Sequence, residues 1–128
     1  MRSRPFSLHA RARAFIPALQ GLVLLVRSEH NARVHAAATV AVGVSALLLG
    51  CTAGELGLLL LAVAAVWTAE ALNSALERLA DCVTREPHPE VGAAKDLAAG
   101  AVLASSLGAA GVGLLVLGPR LLGWLGFG

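Results

Sequence analysis

The chain has no tyrosine, a single lysine, two cysteines and little charge, with Asp, Glu, Lys and Arg making up 14% of its 128 residues. A soluble globular domain carries about 25% charged residues. So sparse a charge, with 57% hydrophobic content, excludes an ordinary soluble domain and points to one compact integral membrane unit, too short for two domains. Cys51 and Cys82 have no metal-ligand spacing, and near opposite membrane faces they could not bridge. They read as buried thiols acting as small apolar side chains. No acid precedes Glu29, whereas Arg2, Arg4, Arg11 and Arg13 all do. A net charge of +2 gathered there and beside apolar runs is a pattern of membrane orientation and implies no nucleic-acid partner. The Walker A pattern G-x-x-x-x-G-K-[ST] does not occur, which removes a P-loop nucleotide site. His35 and His88 lack a Cys or His at metal spacing, which removes zinc.

Uncharged runs are what the chain has instead. Residues 34–54 and 97–119 contain no Asp, Glu, Lys or Arg, and neither does 56–69. A helix needs about 20 apolar residues to cross a bilayer, so spans are predicted at about 34–53, 55–81 and 96–118. The apolar run from Phe15 to Val26 is too short to cross. It is also broken by Pro17 and Gln20, and Arg27-Ser28-Glu29-His30-Asn31 stands where a signal cleavage site would be. It is predicted as an amphipathic surface helix over about 8–30. Residues 50–55 form a turn without Lys or Arg. Thr84 to Gly92 forms a polar loop that its two prolines terminate and stiffen. Arg78, Arg85 and Lys95 flank that loop, which places it and the N-terminus in the cytoplasm and the C-terminus outside. Trp124 and Phe127 suit the outer headgroup layer.

One stretch of the second span is not apolar all round. On a helix, Glu70, Asn73, Glu77 and Asp81 fall within an arc of roughly 80°. An ionised carboxylate in hydrocarbon costs several kcal/mol or more, so the stripe must line a protein interior, an aqueous cleft or a bound cation. Carboxylates near an interface suit Mg²⁺, which takes oxygen ligands and usually shares them with phosphates. The deeper Glu70 suits a proton acceptor for an alcohol arriving from the bilayer. The bland alternative is a structural polar seam between protomers, although a seam rarely needs three acids. Glu29, at the junction of surface helix and first span, either joins Glu77 at a cation or pairs with Arg27 or Arg33. Lys95 either meets a phosphate or snorkels to the membrane surface, and Asp96 could cap the helix it starts.

Taken together, Glu70-Ala71-Leu72-Asn73-Ser74-Ala75-Leu76-Glu77, Asp81, Glu86-Pro87-His88-Pro89 and Ala94-Lys95-Asp96-Leu97 resemble the prokaryotic diacylglycerol kinase family, the small three-helix membrane lipid kinases. The E-x-x-N-x-x-x-E helix, followed at this distance by Lys-Asp, is a specific pattern, and the similarity runs from about Phe15 to about Leu117. The resemblance implies an all-α membrane protein that assembles as a homotrimer in the bacterial cytoplasmic membrane, with sites between protomers. It implies ATP and Mg²⁺ at the cytoplasmic face and direct phosphoryl transfer to a lipid hydroxyl. Residue by residue, Glu70 matches the catalytic base, and Glu29 and Glu77 match the metal-holding carboxylates, which also adjoin ATP. Glu86, His88, Lys95 and Asp96 match positions around the nucleotide. Asn73, with Asn31 and Arg33, falls on the lipid-substrate side.

The N-terminal helix departs from the family, which often carries an aromatic residue and an arginine near the nucleotide. Pro17 and Ala10 stand there instead, leaving Arg11 or Arg13 as a substitute. Glu29-x-Asn31-x-Arg33-x-His35 and Val83-Thr84-x-Glu86-x-His88-Pro89 look more like the undecaprenol kinase branch than the diacylglycerol branch. Two rival readings need no nucleotide: a proton- or ion-conducting helix bundle using the acids as relays, and a non-catalytic scaffold.

Overall fold

A computed structural model describes residues 7–127, apart from the side chain at position 10. Arg2 and Arg4 of the basic N-terminus lie outside the described residues. Among these there are four helices and no strand: α1 (Leu8–Ser28), α2 (His30–Leu48), α3 (Ala53–Val83) and α4 (Pro89–Trp124). Three of them, α2, α3 and α4, are long and apolar enough to cross a membrane. At about 1.5 Å per residue, the 19 residues of α2 extend about 28 Å, close to the hydrocarbon thickness. The 31 of α3 and 36 of α4 reach about 47 and 54 Å. Their surplus projects past a bilayer core.

The junctions differ from the sequence expectation in physically simple ways. Helix α2 starts at His30, four residues ahead of the predicted span, and α1 and α2 are separated by one residue only. Glu29 is extended (φ −104°, ψ 124°), while its N–H still reaches the Leu25 carbonyl at 2.9 Å and its own carbonyl accepts from Arg33 N at 3.4 Å. The third helix begins at Pro89, not at 96. Proline at the first helical position loses no hydrogen bond and has its φ preset, so Pro89 opens α4 instead of closing the helix before it. Its N-cap is His88; Asp96 lies two turns inside and caps nothing. At the far end α4 runs through Pro119 to Trp124, so Arg120 belongs to the helix. Cys51 is half-buried and Cys82 exposed, so only the first fits the picture of an apolar filler.

Each turn is closed by local chemistry. Gly50 adopts φ +64°, which only glycine reaches without cost. Gly50 N donates to Leu47 O and Cys51 N to Ala46 O, the paired bonds of a Schellman C-cap. Two residues on, Thr52 and Glu55 form a capping box at the start of α3, satisfying two end N–H groups reciprocally. Between these caps and α4 sits Arg120. Its Nε lies 3.0 Å from Glu55 Oε1 and its Nη2 2.5 Å from Oε2, while Nη1 reaches the Leu49 and Gly50 carbonyls at 3.1 and 2.9 Å. One guanidinium therefore ties the end of α2, the start of α3 and the end of α4. Below it lies the small apolar core of Ala46, Leu59 and Val116. The main helix contact is α3 on α4, while large side chains such as Leu47, Leu61 and Leu115 point outward.

Arg120→Ala should lower the midpoint of unfolding, because it removes the one side chain that ties three helix ends and leaves the Leu49 and Gly50 carbonyls without its donor. Arg120→Lys should recover only part of this, since a point charge cannot fork onto Glu55. Unfolding in detergent followed by Trp fluorescence measures both. Wild-type stability in Arg120→Ala would mean that this network holds nothing together.

Candidate functional site

The buried residues of α3, Leu59, Val66, Glu70, Ser74 and Ala80, share a single helix face. The apolar half of α3 buries that face, and the acids continue it. Glu70 is 4% exposed, yet its Oε2 has no hydrogen-bond partner among the described residues, and neither do Asn73 Oδ1 and Ser74 Oγ. Buried polar atoms left unpaired cost about 1–3 kcal/mol each. Three of them within five residues form a cluster of unused acceptors in an apolar helix. Beside this stripe Trp67 donates to Thr39 Oγ1 at 3.0 Å, locking α3 to α2. The indole has a structural duty.

Toward the α3–α4 loop the stripe becomes accessible. Asn73 Nδ2 donates to Glu77 Oε1 at 3.1 Å, orienting a half-buried carboxylate one turn on. Asp81, exposed, accepts from Lys95 Nζ at 2.5 Å. This pair joins α3 to α4 above a cavity of about 530 Å³ lined by Arg85, Glu86, His88, Gly92 and Lys95 among others. Glu86, His88 and Lys95 are thus gathered around one space. Asp96, next in sequence to Lys95, is exposed and does not line that cavity. A larger cleft of about 660 Å³ between α2, α3 and α4 is walled by residues such as Val42, Leu59, Val63 and Gly113, and holds no carboxylate. Glu70 lines neither.

The α1–α2 break closes the same end of the bundle. Glu29 pairs with Arg78 of α3 at 3.4 Å, not with Arg27 or Arg33. Arg33 is engaged elsewhere: its Nε and Nη2 donate to the Val26 and Arg27 carbonyls at 3.1 and 2.5 Å, covering the C-terminal carbonyls of α1. Asn31 is exposed. Two residues of consequence escaped the sequence reading, Arg78 and Arg120. Arg78 carried no signal beyond its charge. Arg120 had one, the T-x-x-E pattern at 52–55 that marks the helix start it clamps.

The donors present suit a hard cation held in part by a phosphate. Among the described residues no three His, Cys, Asp or Glu converge as a complete metal cage. Carboxylates of Glu29 and Glu77 at one end of the bundle fit Mg²⁺, which usually takes one or two protein carboxylates and completes its shell with water and phosphate. Glu70 lies about 10 Å along α3 from Glu77, in a drier setting where an unpartnered carboxylate oxygen can accept a proton.

The model of the prokaryotic diacylglycerol kinase family matches residues 17–117. The chain is 35% identical over 109 residues to the undecaprenol kinase of Bacillus subtilis, spanning 85% of this chain and 89% of the relative. It is 36% identical over 110 residues to a diacylglycerol kinase of Synechocystis sp., spanning 85% of this chain and 63% of that protein.

Because Glu70 Oε2 has no partner, replacing the carboxylate with an apolar group of similar length should not weaken the fold. Glu70→Met should keep or raise the midpoint of thermal unfolding. A fall of several degrees would show that the carboxylate is engaged in holding the helices together.

Proposed function

The chain belongs to the prokaryotic diacylglycerol kinase family and is a lipid kinase, and from that premise we propose how its residues divide the work. ATP is the phosphoryl donor, with Mg²⁺ as its companion. The acceptor is the primary hydroxyl of a membrane lipid alcohol, diacylglycerol or undecaprenol. Motif detail in 29–35 and 83–89 favours undecaprenol. The protein sits in the cytoplasmic membrane as a homotrimer, with its N-terminus and the α3–α4 loop inside, its C-terminus outside, and α1 along the inner surface. The ion-conducting reading finds no support in either relative.

The observation that carries this reading is the gradient along α3, from a sealed, unpartnered carboxylate at Glu70 to accessible carboxylates at Glu77 and Asp81. A nucleotide arriving from water meets the accessible end, and a greasy alcohol arriving from the bilayer meets the sealed one. Lys95 and His88 offer cationic and hydrogen-bonding contacts to the phosphates around the loop cavity, with Glu86 beside them and Asp96 adjoining the nucleotide from outside the cavity lining. Glu29 and Glu77 would hold Mg²⁺, which when bound neutralises phosphate charge. Asn73, Asn31 and Arg33 flank the lipid head. In the transfer, Glu70 Oε2 takes the hydroxyl proton as the lipid oxygen bonds to the γ-phosphorus, and the bond from that phosphorus to the β–γ bridging oxygen breaks to release ADP. Positioning and charge neutralisation, more than covalent chemistry, set the rate of such a reaction.

Glu70→Gln should lower turnover about 10²- to 10⁴-fold, the range of a lost general base, while cross-linking still reports a trimer. Wild-type turnover in that variant refutes the base assignment. Glu29→Gln and Glu77→Gln should each raise the Mg²⁺ concentration needed for half-maximal rate. An unchanged titration removes that residue from the metal site. Labelled ATP offered with a panel of diacylglycerols and polyprenols should label polyprenol preferentially, and equal labelling would cancel the proposed preference.

A further inference from the structure

Arg78 follows Glu77 on α3 and reaches across to the α1–α2 break. Its Nη2 lies 2.7 Å from Ser28 Oγ and 3.4 Å from Glu29 Oε1. These are the last residue of α1 and the one extended residue before α2. Ser28 Oγ is 2.8 Å from the Leu24 carbonyl and 3.2 Å from the same Glu29 Oε1, so its single proton serves one of them at a time. Although Glu29 stands at the N-cap of α2, its side chain makes no cap hydrogen bond. Every hydrogen bond and ion pair of its carboxylate among the described residues falls on Oε1. Oε2 is left over.

Energy does not account for this contact. The Arg78 and Glu29 side chains are 49% and 33% exposed, and pairs that open to solvent contribute little to stability. What the contact supplies is position. A carboxylate on a one-residue break between helices has several rotamers open to it. Arg78 ties one of its oxygens to the helix that carries Glu77, and Arg33 holds the break itself from the other side through the Val26 and Arg27 carbonyls.

We infer that Arg78 is a positioning residue for the divalent-cation site: by occupying Oε1 of Glu29 it presents Oε2 to the cation that accompanies the nucleotide. The inference rests on the metal role proposed above for Glu29. Outer partners of this kind typically change metal affinity 10- to 100-fold when removed. The exposure of this pair places Arg78 at the low end.

The test uses the full chain in nanodiscs, with Mn²⁺ as the probe and a non-hydrolysable ATP analogue present. Protein-bound Mn²⁺ is read by electron paramagnetic resonance and thermal midpoint by Trp fluorescence. Arg78→Gln should weaken Mn²⁺ binding about tenfold with little change in midpoint, and Arg78→Lys should restore most of it, since an ammonium can still donate to Oε1. Glu29→Gln should weaken binding at least as much, and adding Arg78→Gln to it should bring no further loss. Wild-type binding in Arg78→Gln beside a weakened Glu29→Gln overturns the inference alone. So does a double variant in which the two losses multiply, or a loss that Lys fails to rescue and that a lowered midpoint accompanies. Unchanged binding in Glu29→Gln overturns the metal role itself, and the positioning role with it.

Discussion

An apolar helix that carries carboxylates can keep them only where something other than lipid meets them, and this constraint organises the molecule. In α3 the acids occupy the same face that Leu59 and Val66 bury, so the helix packs its apolar half and its charged half against neighbours in one orientation. Glu70 sits where the two halves meet, 4% exposed and with an oxygen that has no partner. Such an arrangement costs stability. The cost fits the proton-accepting role proposed for Glu70, and it has no use in a scaffold.

The two ends of the bundle answer this cost differently. At the α2–α3 turn nearly every polar group is satisfied: a Schellman cap at Gly50, a capping box at Thr52 and Glu55, and Arg120 forked across both. At the other end the polar groups are partly used and partly free. Asn73 donates to Glu77 but its oxygen is idle, Glu29 is held by one oxygen, and Asp81 and Lys95 share an exposed bridge. A small chain with few fully buried side chains thus fixes its helices at one end and leaves the other adaptable. That division suits the site proposed above for a nucleotide and a lipid, because bonds already closed within the protein could not be offered to either.

Much of this was written in the linear pattern. The three charge-free runs gave three spans, and the spacing of Glu70, Asn73, Glu77 and Asp81 put them on one face, since helical periodicity is a local property. Boundaries were read less well. Pro87 and Pro89 look alike in sequence, but one lies in the loop and the other opens α4, and their order relative to His88 decides which. Ion-pair partners were not legible at all. Glu29 has Arg27 and Arg33 close in sequence and pairs with Arg78, 49 residues away. Arg120, at the end where few basic residues are expected, turned out to be the clamp of three helices.

Composition and periodicity by themselves determined that the chain is helical, that it holds three segments fit for a membrane, and that its acids share a stripe, because each of these depends only on residues within a few turns. The tertiary structure decided which acid is sealed and which is open, which oxygen of Glu29 is engaged, and which arginine holds it. Those outcomes depend on where α1, α2 and α4 lie against α3, and packing between helices depends on contacts far apart along the chain that no local pattern encodes.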